Sequence, residues 1–134
     1  MHIKHRRFPW AEFLGFELNF NEREECEITF RPKPEHFNPM GTLHGGIFCD
    51  LADAAMGLTR IGLLAEDETF TTLELKVNYL KPIWNSTLRA VPHIVKGGRT
   101  IGLLSCDVFD ETGSLVAYAT STVMNLRGQD AKGR

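Results

Sequence analysis

The chain has 134 residues, 43% of them hydrophobic and 24% charged, and its formal net charge is −2. This length predicts one domain, residues 1–134, with a core of its own, and the lack of excess positive charge excludes a nucleic-acid-binding surface. Three widely spaced cysteines and the lack of a long apolar run predict a cytoplasmic protein with reduced thiols, without a disulfide framework, a zinc site or a membrane span.

The first third of the chain predicts a short helix, a hairpin and a loop. Residues 9–14 (PWAEFL) are expected to form a helix with proline in its first turn, at the end of an N-terminal extension formed by residues 1–14. The strand-like segments 15–20 and 26–31 flank a polar turn, which is typical of a β-hairpin. Prolines and glycines make residues 32–45 a loop.

One long helix is predicted next. Apolar residues recur every three or four positions across residues 46–67, the Gly45-Gly46 pair marks the start of the helix, and the segment A-E-D-E at residues 65–68 marks its end. A second stripe of the same helix contains Asp50, Asp53, Gly57 and Arg60.

The remainder predicts four long strands, at residues 69–82, 86–96, 99–110 and 114–125, followed by a frayed tail at 126–134. The first strand alternates, with Leu73, Leu75, Val77 and Tyr79 on one face and Thr72, Glu74, Lys76 and Asn78 on the other. Pro92 requires an edge position or a bulge in the second strand. The element order predicts an α+β fold in which a curved antiparallel meander wraps one long central helix.

Gly45 stands at the start of the long helix, where N–H groups without intrahelical acceptors carry a partial positive charge. Glycine lets a ligand approach this backbone closely, so the position can bind a phosphate or stabilise a developing oxyanion. The alternative is a plain glycine-rich turn into the helix.

Asp53 lies among leucine and alanine residues, where a buried carboxylate must be paired, hydrogen-bonded or functional. The alternatives are exposure to solvent beside Asp50 or an ion pair with Arg60. At the rise of an α-helix, Asp53 lies about 12 Å from Gly45, too far for both to reach one carbonyl group. If both act on one substrate, Asp53 comes from a second subunit, which indicates a dimer with active sites at its interface.

Three further residues fit a catalytic or a structural role. His44 can polarise a carbonyl group or cap the helix, and Asn38 can orient a water or form an Asx turn before Pro39. Thr72 begins a strand, where a β-branched residue is expected in any case. The chain has no serine-hydrolase elbow, P-loop or dinucleotide-binding glycine motif, and Cys49 is interpreted as a core residue.

The motif N-P-M-G-T-L-H-G-G, followed by D-L-A-D-A-A, resembles the hotdog-fold acyl-CoA thioesterases, in the branch of the phenylacetate-degradation thioesterases and thioesterase superfamily member 2. The resemblance covers about residues 15–125 and includes T-x-E-L-K-V-N-Y-L-K-P and K-G-G-R-T. It implies the hotdog fold, and it implies hydrolysis of an aryl or fatty acyl-CoA to a carboxylic acid and CoA.

The resemblance also implies a role for each catalytic candidate. The N–H of Gly45 matches the oxyanion donor, and Asp53 of the partner subunit matches the general base or nucleophile. His44 matches the histidine that holds the thioester carbonyl, and Asn38 matches the asparagine that positions the water or the carboxylate. Thr72 matches a hydroxyl that orients the attacking water, with the adjacent threonine left open.

Two regions match the family's contacts with coenzyme A. They are Tyr79, Lys81 and Pro82 at one strand end and Gly98, Arg99 and Thr100 at the start of another. Their basic side chains can meet the nucleotide phosphates, or they are ordinary exposed charges at strand ends. The resemblance implies no cofactor, because CoA enters as part of the substrate, and it implies homodimers that pair into homotetramers.

Two other functions of this fold remain as alternatives. An enoyl-CoA hydratase keeps its histidine shortly after an aspartate-containing turn, whereas Asp53 follows His44 here by nine residues. A non-catalytic acyl-CoA sensor usually loses the carboxylate and adds a DNA-binding segment.

The acyl pocket is expected among Phe48, Met56, Leu58 and Phe70. The strand after the helix is expected to have a free edge that pairs with a second copy of the chain.

Overall fold

The computed structural model describes residues 6–133, so the first five residues of the predicted N-terminal extension lie outside it. In chain order the elements are α1 (Pro9–Leu14), β1 (Phe16–Phe20), β2 (Cys26–Phe30), a 3-10 turn (Pro34–His36), α2 (Gly45–Ile61), β3 (Glu68–Tyr79), β4 (Leu88–Gly97), β5 (Ile101–Phe109), β6 (Leu115–Arg127) and a second 3-10 turn (Gly128–Ala131). The predicted α+β class is confirmed: one long helix lies on one face of a six-stranded antiparallel sheet.

The long helix ends at Ile61, six residues before the predicted end at residue 67. Gly62 caps it by donating its N–H to the carbonyl of Leu58, and the next two N–H groups fold back into tight turns. Leu64 is only 5% exposed, so it packs inward from the turn. The apolar pattern of the sequence extends past the end of the helix because residues after the helix, such as Leu64, also pack into the core.

The four strands after the helix do not form a simple meander, which is where the topology differs from the prediction. The sheet order is β1-β2-β4-β5-β6-β3, so β3 pairs with β6 and β4 pairs with β2. The connection after β3 is anchored where the carbonyl of Ile83 accepts the N–H of Leu43. As a result β3 lies at the edge of the sheet, and one of its sides has no partner strand among residues 6–133.

Two local predictions fare differently. Pro92 lies beyond the part of β4 that pairs with β2, which ends at Ala90, so its missing N–H leaves the β2 pairing intact. The tail differs from the expected frayed end, because β6 continues to Arg127 and the Gly128–Ala131 turn packs on β3 and β6. The three cysteines are free thiols.

Candidate active site

The start of α2 presents one backbone N–H group. His44 is the N-cap residue, and its Nδ1 accepts the N–H of Gly46 at 2.9 Å. An accepting Nδ1 places the proton of the neutral, exposed ring on Nε2, where it can be donated to a ligand. Among residues 6–133 the N–H of Gly45 has no hydrogen-bond acceptor. The helix start therefore offers two adjacent donors, the Gly45 N–H and the His44 ring.

Asn38 shapes the loop that precedes this helix. Its Oδ1 accepts the N–H groups of Met40 (2.9 Å) and Thr42 (3.2 Å), and its Nδ2 donates to the Thr42 hydroxyl at 2.7 Å. This is the Asx turn that the sequence allowed as the structural alternative. Within one chain, all three of these Asn38 hydrogen bonds stabilise the loop itself.

Tyr79 lies directly over Gly45. Its hydroxyl donates to the carbonyl of Gly45 at 2.9 Å, and the Cys49 sulfur lies 3.5 Å from the Tyr79 hydroxyl oxygen. The contact with the Cys49 thiol, aided by desolvation, raises the pKa of Tyr79 to about 12, so the hydroxyl stays protonated. Cys49 is half-buried beside the site and is not the core residue that was expected.

A cavity of about 290 Å³ opens in front of the helix start. Gly45, Tyr79, Lys81 and Pro82 line it together, so the first of the two regions expected to bind CoA lies beside the expected oxyanion donor. Lys81 is already paired there, because its Nζ lies 3.2 Å from Oδ2 of Asp110. The Lys81 side chain is half-exposed and can still turn toward an anion.

Asp53 faces a different cavity. It lines a groove of about 430 Å³ together with Asp50. The other residues that line the groove are apolar. Asp53 is exposed at the groove, but the surrounding walls partly desolvate it, and this raises its pKa, with a further increase from the charge of Asp50. Of the two structural alternatives, the ion pair with Arg60 does not form, since Arg60 bonds to Asn125, whereas exposure beside Asp50 is observed.

The walls of this groove only partly match the predicted acyl pocket. Leu58 and Phe70 line it as expected. Met56 is buried in the core instead, and Phe48 packs against Tyr79 beside the other cavity. The groove is completed by residues that were not expected to line the acyl pocket, namely Phe8, Trp10, Leu14, Ala54, Gly57 and Ile61.

A bulge at Leu73 decides which face of β3 carries Thr72. Phe70 and Thr72 pair with core-facing residues of β6 before the bulge, and Leu75, Val77 and Tyr79 do so after it. Thr72 therefore faces the helix together with Phe70, whereas it was expected on the outer face with Glu74, Lys76 and Asn78. Thr71 faces outward by the same alternation, so Thr72 is the threonine that shares the helix-facing side of β3 with Phe70.

The second region expected to bind CoA lies at the opposite end of α2. Residues 98–100 form the turn between β4 and β5, and Nη2 of Arg60, in the last turn of the helix, donates to the carbonyl of Gly98 at 2.9 Å. Arg99 and Thr100 are exposed in this turn. Within one chain the two regions thus lie about 22 Å apart along the helix.

The candidate residues fall into two groups that one chain keeps apart. Gly45 and Asp53 line cavities that share no residue. Helix α2 and strand β3 run in opposite directions, because Tyr79 at the end of β3 lies over Gly45 and Phe70 near its start contacts Gly57. Each end of β3 thus marks one half of the candidate site.

Two negative findings apply to the described part of the chain. Residues 6–133 contain no cluster of three or more His, Cys, Asp and Glu side chains that could hold a metal ion. No helix in the same range is long and apolar enough to cross a bilayer.

Comparisons with known proteins agree with this architecture. The family model of the thioesterase superfamily matches residues 40–117. The medium/long-chain acyl-CoA thioesterase YigI of Escherichia coli K12 is 27% identical over 87% of this chain and 84% of its own length. The BH2602 protein of Bacillus halodurans, solved with CoA, is 29% identical with a TM-score of 0.83, covering 94% of this chain and 83% of its own. A thioesterase family protein of Silicibacter pomeroyi is 27% identical with a TM-score of 0.82, covering 91% and 92%.

Proposed function

The chain belongs to the thioesterase superfamily, and from this premise we propose that it hydrolyses acyl-CoA thioesters to a carboxylic acid and CoA at sites shared by two subunits. Its relative YigI is named as a medium/long-chain acyl-CoA thioesterase, and a similar structure was solved with CoA. The observation that carries the proposal is the unpaired N–H of Gly45 on the same helix as a carboxylate that it cannot meet within one chain.

The second subunit can pair along the free edge of β3. Two β3 edges that pair antiparallel about a twofold axis set the start of one strand against the end of the other. Because Phe70 marks the groove of Asp53 and Tyr79 marks Gly45, this pairing brings Asp53 of the partner subunit toward Gly45. It also brings the partner's 98–100 turn to the side of the site that holds Lys81, so one CoA can contact both regions. Such dimers can pair into tetramers through the outer face, where Glu74, Lys76 and Asn78 are polar.

The chemistry follows from the groups at this interface. The N–H of Gly45, aided by Nε2–H of His44, stabilises the negative charge that develops on the thioester oxygen. Asp53 of the partner subunit removes a proton from water as the water oxygen attacks the carbonyl carbon, and Thr72, on the helix-facing side of β3, orients that water. The carbon–sulfur bond then breaks, and the CoA thiolate takes up a proton. Asn38 contributes by holding the loop that presents His44.

The acyl chain lies in the groove beside Asp53. The groove is mostly apolar, and about 430 Å³ is ample for a small organic group. The aromatic wall of Phe8, Trp10 and Phe70 suits an aliphatic or aryl chain. A panel of acetyl-, medium-chain, long-chain and aryl acyl-CoA substrates with a thiol reagent tests the proposal. We expect turnover with a preference for the bulkier acyl groups, and failure to release CoA from any of them contradicts it.

Gly57 leaves the space that the acyl chain needs. A Cβ atom at this position would lie 3.4 Å from the Phe70 ring, in ordinary contact, so a longer side chain must enter the groove. We expect Gly57→Leu to lower kcat/KM for a long-chain acyl-CoA at least about tenfold relative to acetyl-CoA, as for other hydrophobic pockets. Gly57→Ala is the matched control and should keep the chain-length preference. Equal losses on both substrates would place the acyl chain elsewhere.

Asp50 tunes the pH dependence of Asp53. Asp53 must be ionised to accept a proton. Partial desolvation by the groove walls, together with the charge of Asp50, raises the pKa of Asp53, which moves the acid limb of the pH profile upward. Asp50→Asn removes the like charge, so the acid limb of kcat/KM should move to lower pH, with activity near neutrality retained. An acid limb that stays in place or moves upward would show that Asp53 is not the group that titrates.

A further inference from the structure

The turn between β4 and β5 is held by an unusual set of bonds. The carbonyl of Gly98 accepts from Nη2 of Arg60 at 2.9 Å. The carbonyls of Arg99 and Thr100 both accept from Asn125, the first from its Nδ2 and the second from its backbone N–H, each at 2.7 Å. Three consecutive carbonyl groups are therefore drawn toward the interior of the protein.

Arg60 and Asn125 act as one unit beneath this turn. The guanidinium donates from Nη2 at 3.0 Å and from Nε at 3.3 Å to Oδ1 of Asn125, which leaves the amide nitrogen free to hold Arg99. Arg60 is only 3% exposed, and none of the ion pairs within residues 6–133 includes it. The carboxylate of Glu68 acts on Arg60 through space, but its ion pair is with Arg127. A buried guanidinium held by neutral acceptors is costly, so a role beyond packing is expected for it.

Glycines in β4 and β5 leave room for the guanidinium of Arg60. A Cβ atom at Gly102 would lie 3.1 Å from Cζ of Arg60, and one at Gly97 would lie 3.5 Å from its Nη1. A Cβ at Gly98 would lie 2.2 Å from the carbonyl oxygen of Ile101, so the turn itself also requires glycine. Three glycines within six positions thus fit the chain around the side chain of Arg60 and its turn.

The backbone N–H groups of the same turn have no partner in the described part of the chain. Within residues 6–133 the N–H groups of Gly98, Arg99 and Thr100 donate to no acceptor. Such groups must bind water or a ligand. The side chains of Arg99 and Thr100 are exposed beside them, and Arg127 donates to the carbonyl of Arg99. Arg127 is itself paired with Glu68, so the exposed guanidinium of Arg99 is the cation beside these N–H groups. Successive N–H groups without an acceptor, next to such a cation, form a surface suited to an anion.

We propose that Arg60 and Asn125 are positioning residues that fix residues 98–100 in the conformation whose N–H groups and Arg99 side chain bind the nucleotide phosphates of CoA. The inference rests on the proposed function, because it takes CoA as the ligand. Neither residue touches the thioester. Their loss should therefore weaken binding of the nucleotide and leave the hydrolytic step intact.

The first experiment compares an acyl-CoA with the matching acyl-pantetheine thioester, which lacks the nucleotide phosphates. In Arg60→Met, which keeps most of the side-chain length, we expect KM for the acyl-CoA to rise about tenfold, the scale of a hydrogen bond to a charged group. The value of kcat and the activity toward acyl-pantetheine should stay near those of the wild type. Equal losses on both thioesters would overturn the inference, since they indicate general damage.

Asn125→Asp separates positioning from stability. The new carboxylate pairs with the buried Arg60, so the melting temperature should stay or rise. The amide donor to the carbonyl of Arg99 is lost and replaced by an oxygen that repels it, so adenosine 3′,5′-bisphosphate should bind several-fold more weakly by calorimetry. If Arg60 and Asn125 only stabilised the fold, the melting temperature and the affinity for adenosine 3′,5′-bisphosphate would change in the same direction. Unchanged binding in Asn125→Asp would overturn the inference even if Arg60→Met fails to fold.

Arg99→Ala is the matched surface variant, because its side chain lies in solvent and its carbonyl bonds are retained. It should weaken binding of adenosine 3′,5′-bisphosphate about tenfold without changing the melting temperature. The outcomes also separate the two proposals. If the wild type hydrolyses no acyl-CoA, the proposed function fails. If it hydrolyses acyl-CoA and acyl-pantetheine equally well, with the same KM, only the phosphate-binding role of this turn fails.

Discussion

Asp53→Asn is expected to lower kcat for acyl-CoA hydrolysis by at least about 100-fold, on the scale of a lost general base. The amide has nearly the shape of the carboxylate but cannot accept the proton of the attacking water. Since the carboxylate is exposed at the groove and bonds to no backbone group among the described residues, the fold should be unaffected. Steady-state rates with a saturating acyl-CoA, together with the melting temperature, measure both effects.

Asp50→Asn is the matched control for this variant, because it removes a carboxylate from the same groove one helical turn away. It should retain most of the activity at neutral pH while Asp53→Asn does not. Near-wild-type activity of Asp53→Asn would remove this residue from the mechanism. A single turnover in ¹⁸O-labelled water tests its role as a base further. Water that attacks the thioester puts one ¹⁸O atom in the product acid, whereas attack by Asp53, followed by hydrolysis of the anhydride at the Asp53 carboxyl carbon, would leave the first product acid without ¹⁸O.

The sequence predicted the elements of this fold better than their arrangement. The hairpin, α2 and the later strands are visible because apolar periodicity is a local property. The sheet order depends on which strands pair across the whole molecule, and no local pattern distinguishes β6 from β4 as the neighbour of β3. The bulge at Leu73 was missed for the same reason, because it exists only relative to β6.

The candidate site shows the same division between local and distant information. Gly45 and His44 could be singled out because a helix start has fixed donors that any ligand can use. The groove wall formed by Trp10 was missed, since it belongs to a helix about 40 residues away from Asp53. The bond between Arg60 and Asn125 joins residues 65 positions apart, and its only trace in the sequence is the run of glycines that makes room for the guanidinium.

Gly45→Pro is expected to lower kcat by about 100- to 1,000-fold, because it removes one donor from the oxyanion site. The backbone accepts the change: Gly45 is the first helical residue, where proline is favoured, and His44 has the extended conformation (ψ 134°) that proline requires before it. A Cβ atom there would lie 3.1 Å from the Tyr79 hydroxyl, which must shift. Gly45→Ala introduces the same contact but keeps the N–H, so it should retain far more activity than the proline variant.

Mixing the Gly45→Pro and Asp53→Asn chains tests whether two subunits build each site. Each variant alone is nearly inactive. After subunit exchange, about half of the dimers are mixed, and each mixed dimer has one site with both Gly45 of one chain and Asp53 of the other intact. Activity should therefore rise to about one quarter of the wild-type value. If mixed dimers form, as detected with a tag on one chain, and no activity returns, then both residues act within one chain and the antiparallel pairing of β3 edges is not the catalytic arrangement.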